Sequence, residues 1–447
     1  MCPTRRNLDS HASKLFLFSS LLIPFYILVD HSSAISRKEN LALPSRSSTN
    51  EITVLLLAEE WGSGKGGLST ISRELAIELA KYSNLRIHFY VINSSEEDKQ
   101  MAKRSNINVI KAKERPGFNN GFDRLAFPPV ELPEIDVVIG HGVKLGKQAQ
   151  IIQVKHPRCV WVQFEHTAPE ELGAYKNYEG NIARGETKHC DEVGLAELAD
   201  IVAAIGPKLT KYYKTSLRPF KGGPDKVFQM TPDPSMFHEF HSCEQDREDR
   251  DNFNVLIFGR GDSEDFELKG FDIAAAAVAE LKDGRYHLYA VGATHGQQEV
   301  VRKKLLQYGL SESQLTVRGF IERRDKVAQL LCEVDLAIMP SRTEGFGLTA
   351  LEALAAGLPI LVGADSGFAK ALQNIKESAC IVNDNDIKEW AKAIRGVKEK
   401  PRSTRLEEAM RLKERYQGEF SWSKRCKTLL QKINLLVGKK YLNICTV

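Results

Sequence analysis

The sequence predicts an α/β fold of two doubly wound, Rossmann-like domains that face each other across a cleft. Short apolar runs of strand length alternate with helical stretches, which is the pattern of a mainly parallel sheet covered by helices. This alternation stops at residues 238–252, where aliphatic residues are almost absent, and then starts again. A chain of 447 residues is also too long for one ordinary core. We therefore predict two domains.

The first fifty residues precede the alternating pattern. Basic residues stand before the apolar run 15–29, and small residues follow it. That order is typical of a signal peptide or signal anchor, which we assign to residues 1–34. The run is shorter than the roughly 20 apolar residues that cross a bilayer, which favours cleavage. We expect the secretory pathway or membrane contact through this segment, with a cytoplasmic location as the alternative, and a polar linker at residues 35–52.

The first domain is assigned to residues 53–237. It opens with a strand at 53–58, a glycine-rich loop and a helix at 68–82, and a second strand then completes a βαβ unit. The second strand lies at 86–92. Later apolar runs predict three further strands of the same sheet, at 136–140, 159–164 and 201–205.

The second domain is assigned to residues 253–418, after an interdomain linker at 238–252. A strand at 254–258 and a helix ending at Leu281 restart the alternation. Asp386 has the side chain expected of an N-cap for a helix at 387–398, and residues 419–447 predict a helical C-terminal tail. The remaining strands of this domain are predicted at 287–292, 315–320, 335–339, 359–363 and 380–383.

The composition argues against nucleic-acid binding. There are 62 basic and 58 acidic residues, and a net charge of +4 provides no extended positive field. The eight cysteines show no C-x-x-C pair and no zinc-like spacing, so we expect reduced thiols and no metal. Asp384 and Asp386 match a D-x-D metal motif, but their place just before a helix favours capping.

The segment 340–357 carries the most functional information. An apolar strand precedes Glu344, and Glu352 lies within the Ala- and Leu-rich helix that ends at Gly357. Ligands of open α/β sheets bind beyond the carboxyl ends of strands, and the start of a helix favours an anion such as a diphosphate. Carboxylates placed there accept hydrogen bonds from the vicinal hydroxyls of a sugar or ribose. The segment therefore predicts a nucleotide-sugar site.

Two cations frame the loop that follows the strand 254–258. Gly259 and Arg260 come directly after this strand, and Lys269 lies nine residues beyond Arg260. A diphosphate between the two side chains would be neutralised as its bond to the sugar breaks. The alternative is a pair of ordinary surface cations.

Candidate site residues of the first domain follow three of its predicted strands. Gly66 and Gly67 close a glycine-rich loop in which backbone N–H groups can approach a ligand, or which is simply a tight turn. The loop lacks the residue spacing of a Walker motif. His141 and His166 each follow a predicted strand, so they either line the cleft or are ordinary polar residues.

Together these motifs resemble retaining glycosyltransferases of family four, which have the GT-B fold, across residues 53–436. The family's glutamate pair, diphosphate-binding cations, base-contacting turn, glycine loop and cleft histidine have similar residues here, namely Glu344 and Glu352, Arg260 and Lys269, Gly319 and Phe320, Gly66 and Gly67, and His166. The resemblance implies that the second domain binds the donor, that the first binds the acceptor, and that closure brings them together.

The resemblance also implies a role for each site residue. The implied catalytic residues are His166, Arg260, Lys269 and Glu344. The implied acceptor-side residues are Gly66, Gly67 and His141. The implied donor-binding residues are Gly259, Arg260, Lys269, Gly319, Phe320, Glu344, Gly345, Phe346, Gly347, Leu348, Thr349 and Glu352.

The implied function is that of an enzyme, a hexosyltransferase that moves a hexose from a UDP or GDP sugar to an acceptor hydroxyl. No metal and no cofactor are expected, and front-face attack would retain the anomeric configuration. Residues 230–234 lack the glycine usual in the family, and Lys370 replaces a glutamate, so the donor sugar and the acceptor are left open. The alternatives are a non-catalytic nucleotide-sugar sensor or scaffold, and a sugar-nucleotide epimerase or hydrolase of the same fold.

Overall fold

Two parallel β-sheets frame the structure, a computed structural model that describes residues 51–62, 64, 66–177, 179–240, 244–383 and 385–442. The signal or anchor segment predicted at 1–34 and most of the linker predicted at 35–52 lie outside these residues. Within the described ranges, no helix is both long and apolar enough to cross a membrane. All of the described residues belong to one compact unit.

The first sheet is built from β1 (Ile52–Ala58), β2 (Leu85–Val91), β3 (Ile107–Lys111), β4 (Val137–His141), β5 (Val160–Glu165), β6 (Ile201–Ile205) and β7 (Val227–Met230). The strand order is β3-β2-β1-β4-β5-β6-β7, and neighbouring strands are parallel. β1, β4, β5 and β6 are buried along their whole length, because a central parallel strand is covered on both faces.

The helices of this N-terminal half are α1 (Gly67–Leu79), α2 (Glu96–Arg104), α3 (Gly121–Arg124), α4 (Gly142–Lys155), α5 (Pro169–Gly173), α6 (Asn181–Leu198) and α7 (Gly206–Ser216). α2 begins with a capping box, in which Ser95 and Asp98 satisfy each other's backbone N–H groups. Short 3₁₀ helices follow α7 at Pro224–Lys226, Pro234–Met236 and His238–Phe240.

The second sheet is built from β8 (Phe253–Phe258), β9 (Tyr286–Ala293), β10 (Leu315–Gly319), β11 (Leu336–Met339), β12 (Ile360–Gly363) and β13 (Ile381–Val382). The strand order is β10-β9-β8-β11-β12-β13, again with parallel neighbours. The predicted α/β fold of two doubly wound halves is confirmed.

The helices of the C-terminal half are α8 (Phe271–Glu280), α9 (Gln298–Leu306), α10 (Arg324–Glu333), α11 (Leu348–Ala355), α12 (Gly367–Asn374), α13 (Ile387–Lys398) and α14 (Arg402–Glu419), with a 3₁₀ helix at Glu312–Gln314. The final helix is α15 (Trp422–Leu442). Asp386 caps α13, since its Oδ1 accepts a hydrogen bond from the N–H of Lys388 at 2.7 Å. The capping interpretation is therefore confirmed for Asp386, and Asp384 lies outside the described residues.

The strands that the sequence did not predict are β3 and β7, which form the two edges of the first sheet. β3 alternates buried and exposed positions, and β7 is four residues long. An edge strand needs fewer apolar residues than a central one, so its sequence signal is weaker.

The segment predicted as an interdomain linker is bound to the C-terminal half. Gln245 Nε2 donates to the carbonyl oxygen of Leu331 at 3.0 Å, and Arg402 Nε donates to the carbonyl oxygen of Asp246 at 2.6 Å. Arg402 is itself buried and forms an ion pair with Asp335. Contacts of this kind fix the path of the chain between the two sheets.

The predicted C-terminal tail is helical, and it returns to the N-terminal half. Trp422 Nε1 donates to the carbonyl oxygen of Glu74 on α1 at 3.4 Å. Near the other end of α15, Lys440 Nζ lies 2.7 Å from Asp200 Oδ2. The last helix therefore packs on the first sheet.

The cysteines differ from the prediction at one described position. Cys332 is disulfide-bonded, so the expectation of reduced thiols is wrong there. Cys159, Cys190, Cys380 and Cys426 carry free thiols.

Candidate functional site

The predicted site residues follow the central strands of both sheets. In the second sheet, β8 lies between β9 and β11, so the chain leaves in opposite directions at the carboxyl ends of β8 and β11. Arg260 follows β8, and Glu344 follows β11. In the first sheet the same switch falls between β1, which leads to the glycine loop, and β4, which ends at His141. Open α/β sheets bind ligands at such switch points.

Lys269 and Glu344 form an ion pair in which Nζ lies 2.5 Å from Oε2. The two side chains are 27% and 19% exposed, so the pair is open to the cleft without being fully solvated. Gly270 follows Lys269 with φ at 73°, and a Cβ there would lie 2.1 Å from the carbonyl oxygen of Pro340. Only glycine allows this close approach, which brings the Lys269 turn against the segment that carries Glu344.

Arg260 is the second predicted diphosphate-binding cation. Its side chain is 65% exposed, and Nη1 lies 4.0 Å from Asp265 Oδ2. A Cβ on Gly259 would lie 3.8 Å from the aliphatic stem of Lys269, so the residue before Arg260 packs directly on Lys269. Arg260 thus has the exposure that contact with a bound anion requires.

The turn before α11 touches the N-terminal half. Gly347 has φ at 104°, and a Cβ there would lie 2.5 Å from Met339 Cε. A Cβ on Gly345 would lie 2.4 Å from the carbonyl oxygen of His166. Glycine is therefore required at both positions, and the predicted donor turn lies against the predicted cleft histidine.

The glycine loop of the first domain meets the same turn. A Cβ on Gly67 would lie 2.9 Å from Leu348 Cδ1, whereas one on Gly66 would meet no atom within 4 Å. Gly66 has φ at 95° and precedes α1. The structure therefore brings Gly66 and Gly67 to the interface that carries Leu348.

Phe346 and Thr349 have side chains that pack inside the protein. The Phe346 ring is 4% exposed, lies against Gly206 and has its centroid 6.0 Å from that of Phe368. Thr349 Oγ1 lies 3.5 Å from Met339 Sδ. Any donor contact of Phe346 is therefore restricted to its backbone atoms, whereas Thr349 is only partly buried.

Glu352, the predicted ribose ligand, is 5% exposed and paired with a cation. Arg324 Nη1 lies 2.6 Å from Glu352 Oε1, and Arg324 Nε lies 2.7 Å from Glu239 Oε1. Burial on its own would lower the pKa of Arg324, but the two carboxylates outweigh it and raise that pKa. In the described chain Glu352 Oε2 has no hydrogen-bond partner, so this oxygen remains available to a ligand hydroxyl.

Gly319 and Phe320 end β10, on the outer side of the second sheet. The N–H of Phe320 donates to the carbonyl oxygen of Ala293 at 3.0 Å, and its ring is 43% exposed. A Cβ on Gly319 would lie 2.9 Å from Gln298 Nε2. The predicted base-contacting turn is thus exposed at the carboxyl edge of the sheet.

His166 and His141 form a hydrogen-bonded pair beneath the cleft. His141 Nδ1 lies 2.9 Å from His166 Nε2, and His141 Nε2 lies 3.1 Å from Ser72 Oγ on α1. His141 is 1% exposed, so the expectation that it lines the cleft is wrong, because it is held between Ser72 and His166. Burial lowers the pKa of His141 well below its usual value and that of His166 to about 3.

Two buried glutamates hold the segment that carries His166. Tyr213 Oη donates to Glu192 Oε2 at 2.5 Å, and Thr167 Oγ1 donates to Glu192 Oε1 at 3.2 Å. Glu165 lies next to them, with Oε2 accepting from Tyr213 Oη at 3.3 Å. Burial and, for Glu165, the charge of Glu192 raise the pKa of both carboxyls.

Lys208 joins the two halves on another side of the same turn. Its Nζ lies 2.7 Å from Thr343 Oγ1 and 3.0 Å from Asp365 Oδ1 in the C-terminal half. The same atom lies 2.7 Å from Glu171 Oε2 in the N-terminal half. These contacts join the two halves beside the residues that precede Glu344.

The sequence analysis missed several residues that support the site. Arg324 begins a helix just beyond β10, and a cation at that strand end was a signal available in the sequence. The other contributions come from long-range contacts that no local pattern announces, and they are made by Ser72, Glu192, Tyr213 and Glu239.

Comparison with solved structures places this architecture in the GT-B class. Sucrose-phosphate synthase from Thermosynechococcus elongatus aligns over 87% of this chain and 100% of its own, with a TM-score of 0.66 and 18% identity. Anabaena Alr3699/HepE, solved with UDP and glucose, aligns over 86% of this chain and 100% of its own, with a TM-score of 0.63 and 18% identity. At these identities the likeness concerns the fold.

The family described as family 4 glycosyltransferase in conflict systems matches residues 55–429, and the chain belongs to it. A D-inositol 3-phosphate glycosyltransferase of Mycobacterium marinum is 30% identical over 175 residues, which is 38% of this chain and 36% of that protein. A GDP-mannose-dependent alpha-(1-6)-phosphatidylinositol dimannoside mannosyltransferase of Mycobacterium tuberculosis is 33% identical over 118 residues, covering 26% and 29%. The chain thus spans about a third of the length of these relatives.

Proposed function

We propose that this protein transfers a hexose from a UDP or GDP sugar to an acceptor hydroxyl, with retention of configuration and without a metal ion. The observation that carries the proposal is the ion pair of Lys269 and Glu344 at 2.5 Å, placed at the switch point of the second sheet. Membership of the glycosyltransferase family supports the reaction type. The names of the relatives and structural neighbours, which mention GDP-mannose and UDP, support the donor class.

The donor would bind with its diphosphate beside Lys269 and Arg260. Negative charge grows on the diphosphate as the bond between the anomeric carbon and the phosphate oxygen breaks. Preorganised cations stabilise such charge best in a site that excludes water. Glu344, paired with Lys269, would accept a hydrogen bond from a sugar hydroxyl, and the available oxygen of Glu352 would accept one from the ribose. Two cations also supply the positive charge that a divalent ion provides in other transferases.

Retention would follow from attack on the face that the diphosphate leaves. The acceptor oxygen forms its bond to the anomeric carbon, and its proton passes to the departing phosphate oxygen. His166 is unsuited to take this proton, because burial lowers its pKa to about 3. Its part would be to hold the sugar, which is compatible with a neutral imidazole.

The decisive experiment measures nucleotide release from a panel of UDP and GDP sugars, with and without candidate acceptors, in the presence and absence of EDTA. A transferase releases nucleotide faster with its acceptor, and NMR of the product reports the anomeric configuration. A hydrolase releases nucleotide without an acceptor, and a sensor releases none. Thermal shift selects the donor first, since a ligand at 100 times its Kd stabilises the fold by about 2.7 kcal/mol.

Variants locate the reaction in the proposed site. Lys269→Ala should depress turnover, and Glu352→Ala should weaken donor binding, whereas Lys326→Ala, an exposed lysine on α10, should change neither. If Lys269→Ala and Glu352→Ala both transfer at the wild-type rate with limiting donor, the donor site lies elsewhere.

A further inference from the structure

A buried chain of three polar side chains runs from α1 to the edge of the cleft. Ser72 Oγ lies 3.1 Å from His141 Nε2, and His141 Nδ1 lies 2.9 Å from His166 Nε2. Ser72 and His141 are fully or almost fully buried, whereas His166 is partly exposed. Among the described residues, His166 Nδ1 has no hydrogen-bond partner. The chain therefore ends at one ring nitrogen on the partly exposed histidine.

The hydroxyl of Ser72 sets the direction of this chain. Ser72 Oγ lies 3.0 Å from the carbonyl oxygen of Leu68, one helical turn earlier, and donates its hydrogen there. A carbonyl oxygen only accepts, and a serine hydroxyl has a single hydrogen. With the hydroxyl hydrogen directed to this carbonyl, Ser72 accepts from His141 Nε2, and on this basis we assign the His141 proton to Nε2.

The same logic extends to His166. A neutral imidazole has one protonated nitrogen, so His141 with a proton on Nε2 has a bare Nδ1. That nitrogen accepts from His166 Nε2, which must then carry the proton of His166. The second nitrogen of His166, Nδ1, is left with its lone pair. Both rings are neutral because burial among rings disfavours the charged form: the two centroids lie 5.2 Å apart, and the Phe164 ring lies 5.0 Å from that of His141.

We propose that Ser72 and His141 act as positioning residues that hold His166 in the tautomer protonated on Nε2, so that its bare Nδ1 accepts a hydrogen bond from one hydroxyl of the transferred sugar. The assignment of that hydroxyl to the sugar rests on the proposed function. The backbone of His166 supports this assignment, because its carbonyl oxygen lies against Gly345, in the turn that the proposed function assigns to the sugar. At one position of the sugar, the site would thus select a hydroxyl, because a hydroxyl can donate a hydrogen bond to Nδ1. It would reject a substituent that can only accept a hydrogen bond.

The tautomer is measured directly, and without reference to activity, by ¹⁵N NMR of the histidine side chains in the full chain at neutral pH. Variants His141→Asn and His166→Asn assign the two rings among the 11 histidines. We expect a pyridine-like shift for His166 Nδ1 and a pyrrole-like shift for Nε2. A pyrrole-like Nδ1, or a doubly protonated ring, overturns the proposal.

The role of Ser72 is tested against a matched serine. Ser216 on α7 also donates to the carbonyl oxygen one turn earlier, at 3.1 Å, but has no histidine partner. Ser72→Ala should move the His166 Nδ1 shift away from the pyridine-like value and lower kcat/KM by about three- to tenfold, the worth of one neutral hydrogen bond. Ser216→Ala should leave both unchanged. An unaltered His166 spectrum in Ser72→Ala would rule out the positioning role.

The polarity of His166 is tested with donor sugars in which one hydroxyl at a time is replaced by fluorine, which cannot donate. For one position, the wild type should use the fluorinated donor with a kcat/KM about three- to tenfold lower than that of the unmodified donor. In His166→Ala the same two donors should have equal kcat/KM. Equal losses in both proteins at every position would refute the sugar contact. If the wild type releases no nucleotide from any donor, the proposed function fails, and the NMR result still decides the tautomer.

Discussion

Removal of Arg324 is the sharpest test of what stabilises the proposed donor site around Glu352. Arg324 lies between two carboxylates, Glu352 at 2.6 Å and Glu239 at 2.7 Å, and its guanidinium carbon is 4.6 Å from the centroid of the Phe240 ring. The side chains of Arg324 and Glu352 are 16% and 7% exposed. Arg324→Met keeps much of the aliphatic volume but leaves both carboxylates without this cation.

The expected loss follows from burial. Removing one partner of a buried ion pair costs about 3 to 5 kcal/mol, because the remaining charge is unpaired in a poorly solvated place. Glu239 is more exposed than Glu352, so most of the loss should come from Glu352. The cost arises from a carboxylate charge that is buried without a partner. The destabilisation should therefore be largest at neutral pH, where carboxylates are ionised, and smaller in acid.

Urea denaturation followed by tryptophan fluorescence measures the free energy of unfolding of Arg324→Met against wild type. The control is Arg411→Met, which removes an exposed arginine 3.5 Å from Glu407 and should cost less than about 1 kcal/mol. The double variant with Glu352→Gln should recover part of the loss, because the buried charge is then gone. Equal unfolding free energies for Arg324→Met and Arg411→Met would show that the buried pair does not stabilise the site.

Three further predictions concern the N-terminal side of the cleft and its contact turn. Gly345→Ala should destabilise the fold by about 1 to 3 kcal/mol in thermal unfolding, since the new Cβ would lie 2.4 Å from the carbonyl oxygen of His166. The control Gly396→Ala should not destabilise the fold, because the space around Gly396 is open. His141 keeps a neutral ring in the folded state, so this residue alone should cost about 2 kcal/mol of unfolding free energy between pH 7 and 5, and His141→Gln should show a profile flatter by about that amount. The raised pKa of Glu192 stabilises the fold at low pH, and this contribution is lost as the pH rises above 4.5. The free energy of unfolding of Glu192→Gln should therefore increase relative to that of wild type as the pH rises. A difference between the two proteins that stays constant with pH would contradict this.

The sequence predicted the central elements of the fold because their physical signals are local. Buried parallel strands read as short apolar runs, and β6 was predicted with its exact bounds at Ile201–Ile205. Helix α13 was likewise predicted correctly, since Asp386 and an amphipathic pattern mark its start. The edge strand β3 was missed because its exposed positions interrupt the apolar run, and β7 was missed because it is only four residues long.

The candidate site was predictable where it depends on strand ends and glycines. The family resemblance placed Lys269, in a loop after one strand, and Glu344, in a turn after another, in one site, and the structure pairs them directly. The burial of His141 was not predictable, because it depends on Ser72, 69 residues away in the chain. The same holds for Arg324, whose two carboxylate partners come from distant segments. Long-range contacts of this kind exist only once the sheets have formed.

The C-terminal side of the cleft carries charged side chains, whereas burial on the N-terminal side favours neutral ones, and this difference bears on the proposed transfer. The C-terminal side carries cations, with Lys269 beside Glu344 and an exposed Arg260, and in the proposed function they meet the diphosphate. On the N-terminal side, burial keeps the histidine pair neutral and raises the pKa of Glu165 and Glu192. The carboxyls are already engaged with Tyr213, and the histidine proton affinity is too low to compete near neutral pH. In the proposed reaction, the departing diphosphate is then the strongest base that an acceptor hydroxyl meets, which is the condition that front-face attack requires.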